Sequence, residues 1–125
     1  MTEGNEITIT AQYGILMVRV ACANLADQLA QSLAQQLTAA AEQSPTLPVL
    51  LDLSQVTSMP SMSIGGLVTL WKKFQDSRRR FILAAARPQV RQTLAVCRLD
   101  KLFELSDSVE EARLRLRAKP EGDLG

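Results

Sequence analysis

Ser54, Ser58, Ser61 and Ser63 crowd into one stretch, Ser54-Gln55-Val56-Thr57-Ser58-Met59-Pro60-Ser61-Met62-Ser63, which runs into Ile64-Gly65-Gly66. A hydroxyl at the start of a helix can do two kinds of chemistry. It can accept a backbone N–H as an N-cap, a contribution of about 1 kcal/mol. It can also take a phosphate, because the free N–H groups and the helix dipole favour added negative charge there. Ser61, and after it Ser63, are placed for either role; serine caps are commonplace, so residue chemistry alone favours the cap. Beyond them Ile64, Leu67, Val68, Leu70, Trp71 and Phe74 share one helical arc, and Gly65, Gly66, Thr69, Lys72, Lys73 and Asp76 share the other. Two glycines near a helix start cost about 1 kcal/mol each relative to alanine. Either one of them packs tightly against a sheet, or the pair leaves a bare turn that another backbone can approach. A small-residue outer face beside a serine loop has the character of a docking surface. Met62, Ser63, Gly65, Gly66, Thr69, Lys72 and Lys73 are its expected contact residues.

The remaining reactive side chains point away from catalysis. The 125 residues contain no histidine, which removes Ser-His-Asp and Cys-His nucleophile systems, histidine general bases and the commonest metal ligand. Cys22 and Cys97 each lie in an apolar stretch without a C-x-x-C spacing, so they read as small buried hydrophobes of a reducing compartment. Asp52 closes an apolar run and could face Mg²⁺, but no Gly-rich Lys loop or second carboxylate accompanies it. A turn or hydrogen-bonding role suits it better. No catalytic residue, metal site or cofactor is therefore expected.

Charge is unevenly spread. The net +1 divides into −4 over residues 1–62 and +5 over residues 63–125, with Lys72, Lys73, Arg78, Arg79, Arg80, Arg87 and Arg91 opposed only by Asp76. Such a segment could meet phosphate, a nucleotide or an acidic partner. Arg78-Arg79-Arg80 nevertheless sits where a solvated helix-to-strand turn is needed, and the few aromatics lie on apolar stripes rather than among the basic residues. No nucleic-acid partner is expected. The acidic, polar start Met1-Thr2-Glu3-Gly4-Asn5-Glu6 is no targeting signal, and the apolar runs fall short of the roughly 20 residues a membrane helix needs. A cytoplasmic protein, not embedded in membrane, is the expectation.

The elements that must position these residues follow from periodicity. Ile7–Thr10 and Ile15–Val20 read as strands joined through Gln12-Tyr13-Gly14, a β-hairpin. Leu25, Leu29, Leu33 and Leu37 mark an amphipathic helix, with Asn24 as its N-cap and Ser44–Pro48 as its stop. Val49–Leu53 and Arg80–Ala85 read as strands buried on both faces. Pro88 suits the first turn of a helix carrying Val90, Leu94 and Cys97. Phe103-Glu104-Leu105 is a short strand, and Ser108 with Glu111 is a capping box opening a last helix through Leu114 and Leu116. The order β-β-α-β-α-β-α-β-α predicts a single α/β domain over residues 7–117. Its sheet is mixed and mostly parallel with an N-terminal hairpin and about four helices, and flexible ends lie at 1–6 and 118–125.

Val49-Leu50-Leu51-Asp52-Leu53-Ser54-Gln55-Val56, the serine loop, Pro88-Gln89-Val90-Arg91, Leu99-Asp100-Lys101-Leu102-Phe103 and Ser108-Val109-Glu110-Glu111-Ala112 together resemble a STAS domain. This is the domain of anti-sigma factor antagonists and of sulfate transporter tails. Where phosphorylated members carry Asp-Ser-Ser-Gly-Leu-Gly, this chain has Pro60-Ser61-Met62-Ser63-Ile64-Gly65; the family's phosphoacceptor maps to Ser61. The family's Gly-Glu-Leu-Asp is replaced by Cys22-Ala23-Asn24-Leu25, and its glycine near the end of the third helix by Arg98. The resemblance implies a non-enzymatic, partner-switching regulator of transcription. It would dock a serine kinase or anti-sigma factor through the serine loop and second helix, and Ser61 phosphorylation would break the contact. The alternative is a constitutive subunit or scaffold, such as an accessory of a lipid-transport ABC ATPase. Oligomeric state stays open, a dimer included.

Overall fold

Tyr13 and Gly14 reverse the chain with φ of 57° and 73°, the two left-handed residues that a tight two-residue hairpin turn requires. They join β1 (Ile7–Gln12) to β2 (Ile15–Val20) in antiparallel register, Ile7 opposite Val20 and Gln12 opposite Ile15. A computed structural model describes residues 6–117 of the chain. The expected flexible ends, Glu6 apart, lie outside the described residues.

From β2 onward strands and helices alternate: α1 (Asp27–Gln43), β3 (Val49–Asp52), α2 (Ser61–Asp76), β4 (Phe81–Ala84), α3 (Pro88–Val96), β5 (Glu104–Ser106) and α4 (Val109–Arg117). The sheet order is β1-β2-β3-β4-β5, and every pairing after the hairpin is parallel. The expected element order and mixed sheet are therefore those observed.

Alternation of side chains along the strands makes the sheet two-sided. Leu16, Val18, Val20, Val49, Leu51, Phe81 and Leu83 face one way and pack against α1, α2 and α3 through Leu33, Leu37, Leu67, Phe74, Val90 and Leu94. Ile15, Leu50, Ile82 and Ala84 face the other way, beneath Ala112 and Leu116 of α4. Two-sided burial explains the continuous apolar runs of β3 and β4.

Several local expectations are corrected. Asn24 does not cap α1; the helix begins at Asp27 after Ala26 with no side-chain cap, and Asn24 instead bridges to Ser58. Cys97 is exposed at the end of α3 rather than buried, and Cys22 is half-buried, its thiol pKa raised by burial and then by Glu6. Leu114 is exposed, whereas Leu116 is buried. Ser108 Oγ accepts the Glu111 N–H at 3.0 Å as expected, but the Glu111 carboxylate reaches back to the N–H of Asp107. Arg115 also donates to Glu111 at 2.7 Å. The hydrogen bonds from Arg115 and from the Asp107 N–H hold the Glu111 carboxyl below its ordinary range.

The arginine turn is the largest correction. Only Arg78 is fully solvated. Arg79 is half-buried and donates to the carbonyls of Ala41, Ser44 and Leu47, the end of α1 and the approach to β3. Helix α1 has no basic residue in its own last turn, so Arg79 supplies the cation that its C-terminal carbonyls favour. Its guanidinium also stacks 5.0 Å from the Phe74 ring centre, and burial lowers its pKa. Arg80 pairs with Glu104 across the sheet edge.

Candidate docking site

The serine loop is fastened at both sides before it reaches Ser61. Asp52 Oδ1 accepts the Ser54 N–H at 2.9 Å, which is the turn role expected of it. The carbonyl of Ala23 takes the N–H groups of Thr57 and Ser58 and the Thr57 hydroxyl, and Ser58 Oγ donates to Asn24 Oδ1 at 2.9 Å. Arg87, from the start of α3, donates to the Ser54 carbonyl at 2.8 Å. Val56 and Met59 are buried beneath the loop. Ser54, Thr57, Ser58 and Arg87 thus position the site, and only their polarity hinted at it in the sequence.

Helix α2 begins at Ser61, three residues before Ile64, with Pro60 as the extended residue ahead of it. Proline's fixed φ suits that boundary. This early start decides the fate of the two serines. Ser63 falls four residues before Leu67 and seven before Leu70, on the core stripe, and is 1% exposed with no partner for its hydroxyl. Ser61 and Met62 fall on the outer side, Met62 at 71% exposure. Neither serine makes a side-chain cap, so the expected capping role is not found.

Gly65, Gly66, Thr69, Lys72 and Lys73 are all exposed, continuing the outer face from Met62. A methyl group placed on Gly65 or Gly66 would meet nothing within 4 Å beyond the helix's own backbone. Among the described residues nothing packs tightly on either glycine, and the helix bears their propensity loss with no gain from them there. Thr69 Oγ1 donates back to the Gly65 carbonyl at 3.1 Å, so even the threonine keeps its hydroxyl close to the helix. The result is a low, mostly uncharged ridge flanked by two lysines. Of the expected contacts, Met62, Gly65, Gly66, Thr69, Lys72 and Lys73 share that surface, and Ser63 does not.

Among the described residues no three His, Cys, Asp or Glu side chains gather as a metal site would require, and no helix is long and apolar enough to cross a membrane.

This fold and loop belong together in one family. A family model for the STAS domain matches residues 6–112, and the chain belongs to that family. A Thermotoga maritima protein named as a candidate anti-sigma factor antagonist is 31% identical over 71 residues, 57% of this chain and 63% of its own length. Among solved structures, a candidate anti-sigma factor antagonist of Thermotoga maritima superposes with a TM-score of 0.78 at 20% identity. That match covers 89% of this chain and 94% of the other. The anti-sigma factor antagonist SpoIIAA in its unphosphorylated form gives 0.76 at 17% identity, covering 90% and 97%. Its phosphorylated form from Bacillus gives 0.69 at 16% identity, covering 89% and 99%. At these identities the structures speak for the fold alone.

Proposed function

We propose that this chain is a cytosolic regulatory module that acts by being docked, through the serine loop and the outer face of α2, and performs no catalysis of its own. The observation that carries this reading is the pair Gly65–Gly66, exposed on a helix that gains nothing internally from either. A bare turn beside an exposed Met62 lets a partner backbone approach the helix closely and cover an apolar side chain. The partner class is an anti-sigma-type serine kinase or a related ATP-binding subunit. Support comes from the family membership and from relatives named as anti-sigma factor antagonists.

Ser61 is the modification site in this reading. Its side chain is exposed at the first position of α2, no acid lies in that turn, and no side chain caps the helix. Phosphate there would be favoured by the helix start yet would place close to two negative charges within the docked surface. Docking then fails through repulsion and desolvation. Ser63, buried on the core stripe, is reached by a kinase only if the first turn of α2 opens. SpoIIAA, solved in both phosphorylated and unphosphorylated forms, supports such a switch by analogy.

Affinity capture from the cells that make the protein tests this, using the wild-type chain, Ser61→Asp and Gly66→Arg. The expected result is an ATP-binding partner retained by the wild type and lost by both variants. Loss with Gly66→Arg but retention with Ser61→Asp would leave docking standing and remove the switch, as a constitutive subunit requires. Retention by Gly66→Arg would remove the α2 face from the interface.

A further inference from the structure

The end of the sheet remote from Ser61 carries a second concentration of unusual residues. Here the hairpin turn Tyr13-Gly14, the approach to β3, the turn into β4 and the end of α4 surround a depression of ≈ 740 Å³. Its walls include Leu47, Pro48 and Leu116, and its rim carries Arg78, Arg80 and Arg117. Among the described residues no carboxylate lines it.

The arginines differ in what they already do. Arg79, which also lines it, is committed to the carbonyls around Leu47. Arg80 is shared between Glu104 and the carbonyl of Arg115. Arg78 and Arg117 are exposed, and neither side chain makes a hydrogen bond or ion pair among the described residues. Arg78 has a further peculiarity. It follows the C-cap of α2 with φ of 59°, its N–H bonded to the Gln75 carbonyl at 2.9 Å and the next N–H, of Arg79, to Phe74 at 2.8 Å. That is the paired helix-ending motif whose left-handed position favours glycine. An arginine there strains the backbone, and its head group makes no hydrogen bond or ion pair among the described residues in return.

We propose that this depression is a binding site for a phosphate-bearing organic ligand, with Arg78 and Arg117 as its anion-holding residues. Guanidinium forks match phosphate oxygens in shape and charge. Two guanidiniums without a hydrogen bond or ion pair among the described residues suit a phosphate better than a neutral group, and the carboxylate beside the rim, Glu104, is already held by Arg80 and Arg115. The apolar walls give the organic portion a place to lie, and the volume exceeds what a bare ion fills. Soluble phosphate esters and lipid headgroups share this chemistry.

The test is made on the full chain, with Arg78→Gly as the decisive variant because glycine suits the left-handed position and preserves the fold. Arg98→Gly is the control; Arg98 occupies the equivalent position after α3, with φ of 61°, and does not line the depression. Amide shifts are followed on titration with inorganic phosphate, and retention is measured on phosphatidylcholine vesicles with and without equimolar phosphatidylglycerol. The expected result is saturable shifts at residues 13–14 and 78–80, weakened about tenfold in Arg78→Gly and unchanged in Arg98→Gly. Retention on the anionic vesicles that Arg78→Gly abolishes would assign the lipid headgroup as source; phosphate binding without retention would assign a soluble ester. Absence of saturable shifts and of retention would overturn the proposal, as would equal weakening by both variants.

Discussion

The two ends of α2 show opposite departures from what a helix asks of its residues. At its start, Gly65 and Gly66 stand where alanine would serve better, exposed and touching nothing that needs their smallness. At its end, Arg78 stands where glycine would serve better, in the left-handed position of a well-formed C-terminal motif. Fold energetics explain neither choice. Arg79, one residue on, shows the contrast: its guanidinium closes the end of α1 and is accounted for entirely by the fold. Residues explained by internal contacts thus lie beside residues for which the described part of the fold offers no contact.

That contrast can be broken by substitution. Arg79→Ala should have the largest effect, lowering stability by about 2–4 kcal/mol through the loss of its charge-assisted hydrogen bonds to three part-buried carbonyls and of its stacking on Phe74. Arg79→Lys should recover little of it, since an ammonium cannot span three carbonyls as a fork does; denaturant titration reads both. The double variant Gly65→Ala/Gly66→Ala should move the other way, raising stability by about 1 kcal/mol per site while weakening partner capture. A loss of stability there would reveal a packing role for the glycines. Arg98→Gly should stabilise by about 1 kcal/mol, the relief of a left-handed arginine.

The smallest effect concerns acid. Glu111 is held below the ordinary glutamate range by Arg115 and by the N–H of Asp107. Its contribution is therefore present above the unfolded glutamate value and is lost as pH falls through its lower folded value. Glu111→Gln should lower stability slightly at neutral pH and flatten the loss between about pH 5 and pH 3, as thermal melts across that range would show.

Much of this architecture could be read from the chain, for physical reasons. Two-sided burial writes itself as the runs Val49–Leu53 and Phe81–Ala84, and the i, i+4 leucines of α1 and the apolar arc of α2 require no distant information. The errors arise where a partner lies far along the sequence. Asn24 has a cap's chemistry, but Ser58 competes for its side chain from 34 residues away. Arg79 looks like one of three solvated cations until α1's carbonyls, more than 30 residues upstream, are brought against it. The candidate site was half legible. Its outer face followed from the helical projection, but the division between Ser61 and Ser63 depended on where α2 begins. A shift of three residues in that boundary exchanges a presumed cap for a buried hydroxyl.

Site-specific photo-crosslinking in the cells that make the protein tests the central claim most directly. A photoreactive residue is placed in turn at Met62 and Thr69 on the α2 face, and at the exposed Val96 and Leu114 elsewhere. The docking account predicts one partner band from Met62 and Thr69, absent from Val96 and Leu114 and lost from the first two when Gly66→Arg is added. A partner captured from Val96 or Leu114 but not from Met62 or Thr69 would contradict it.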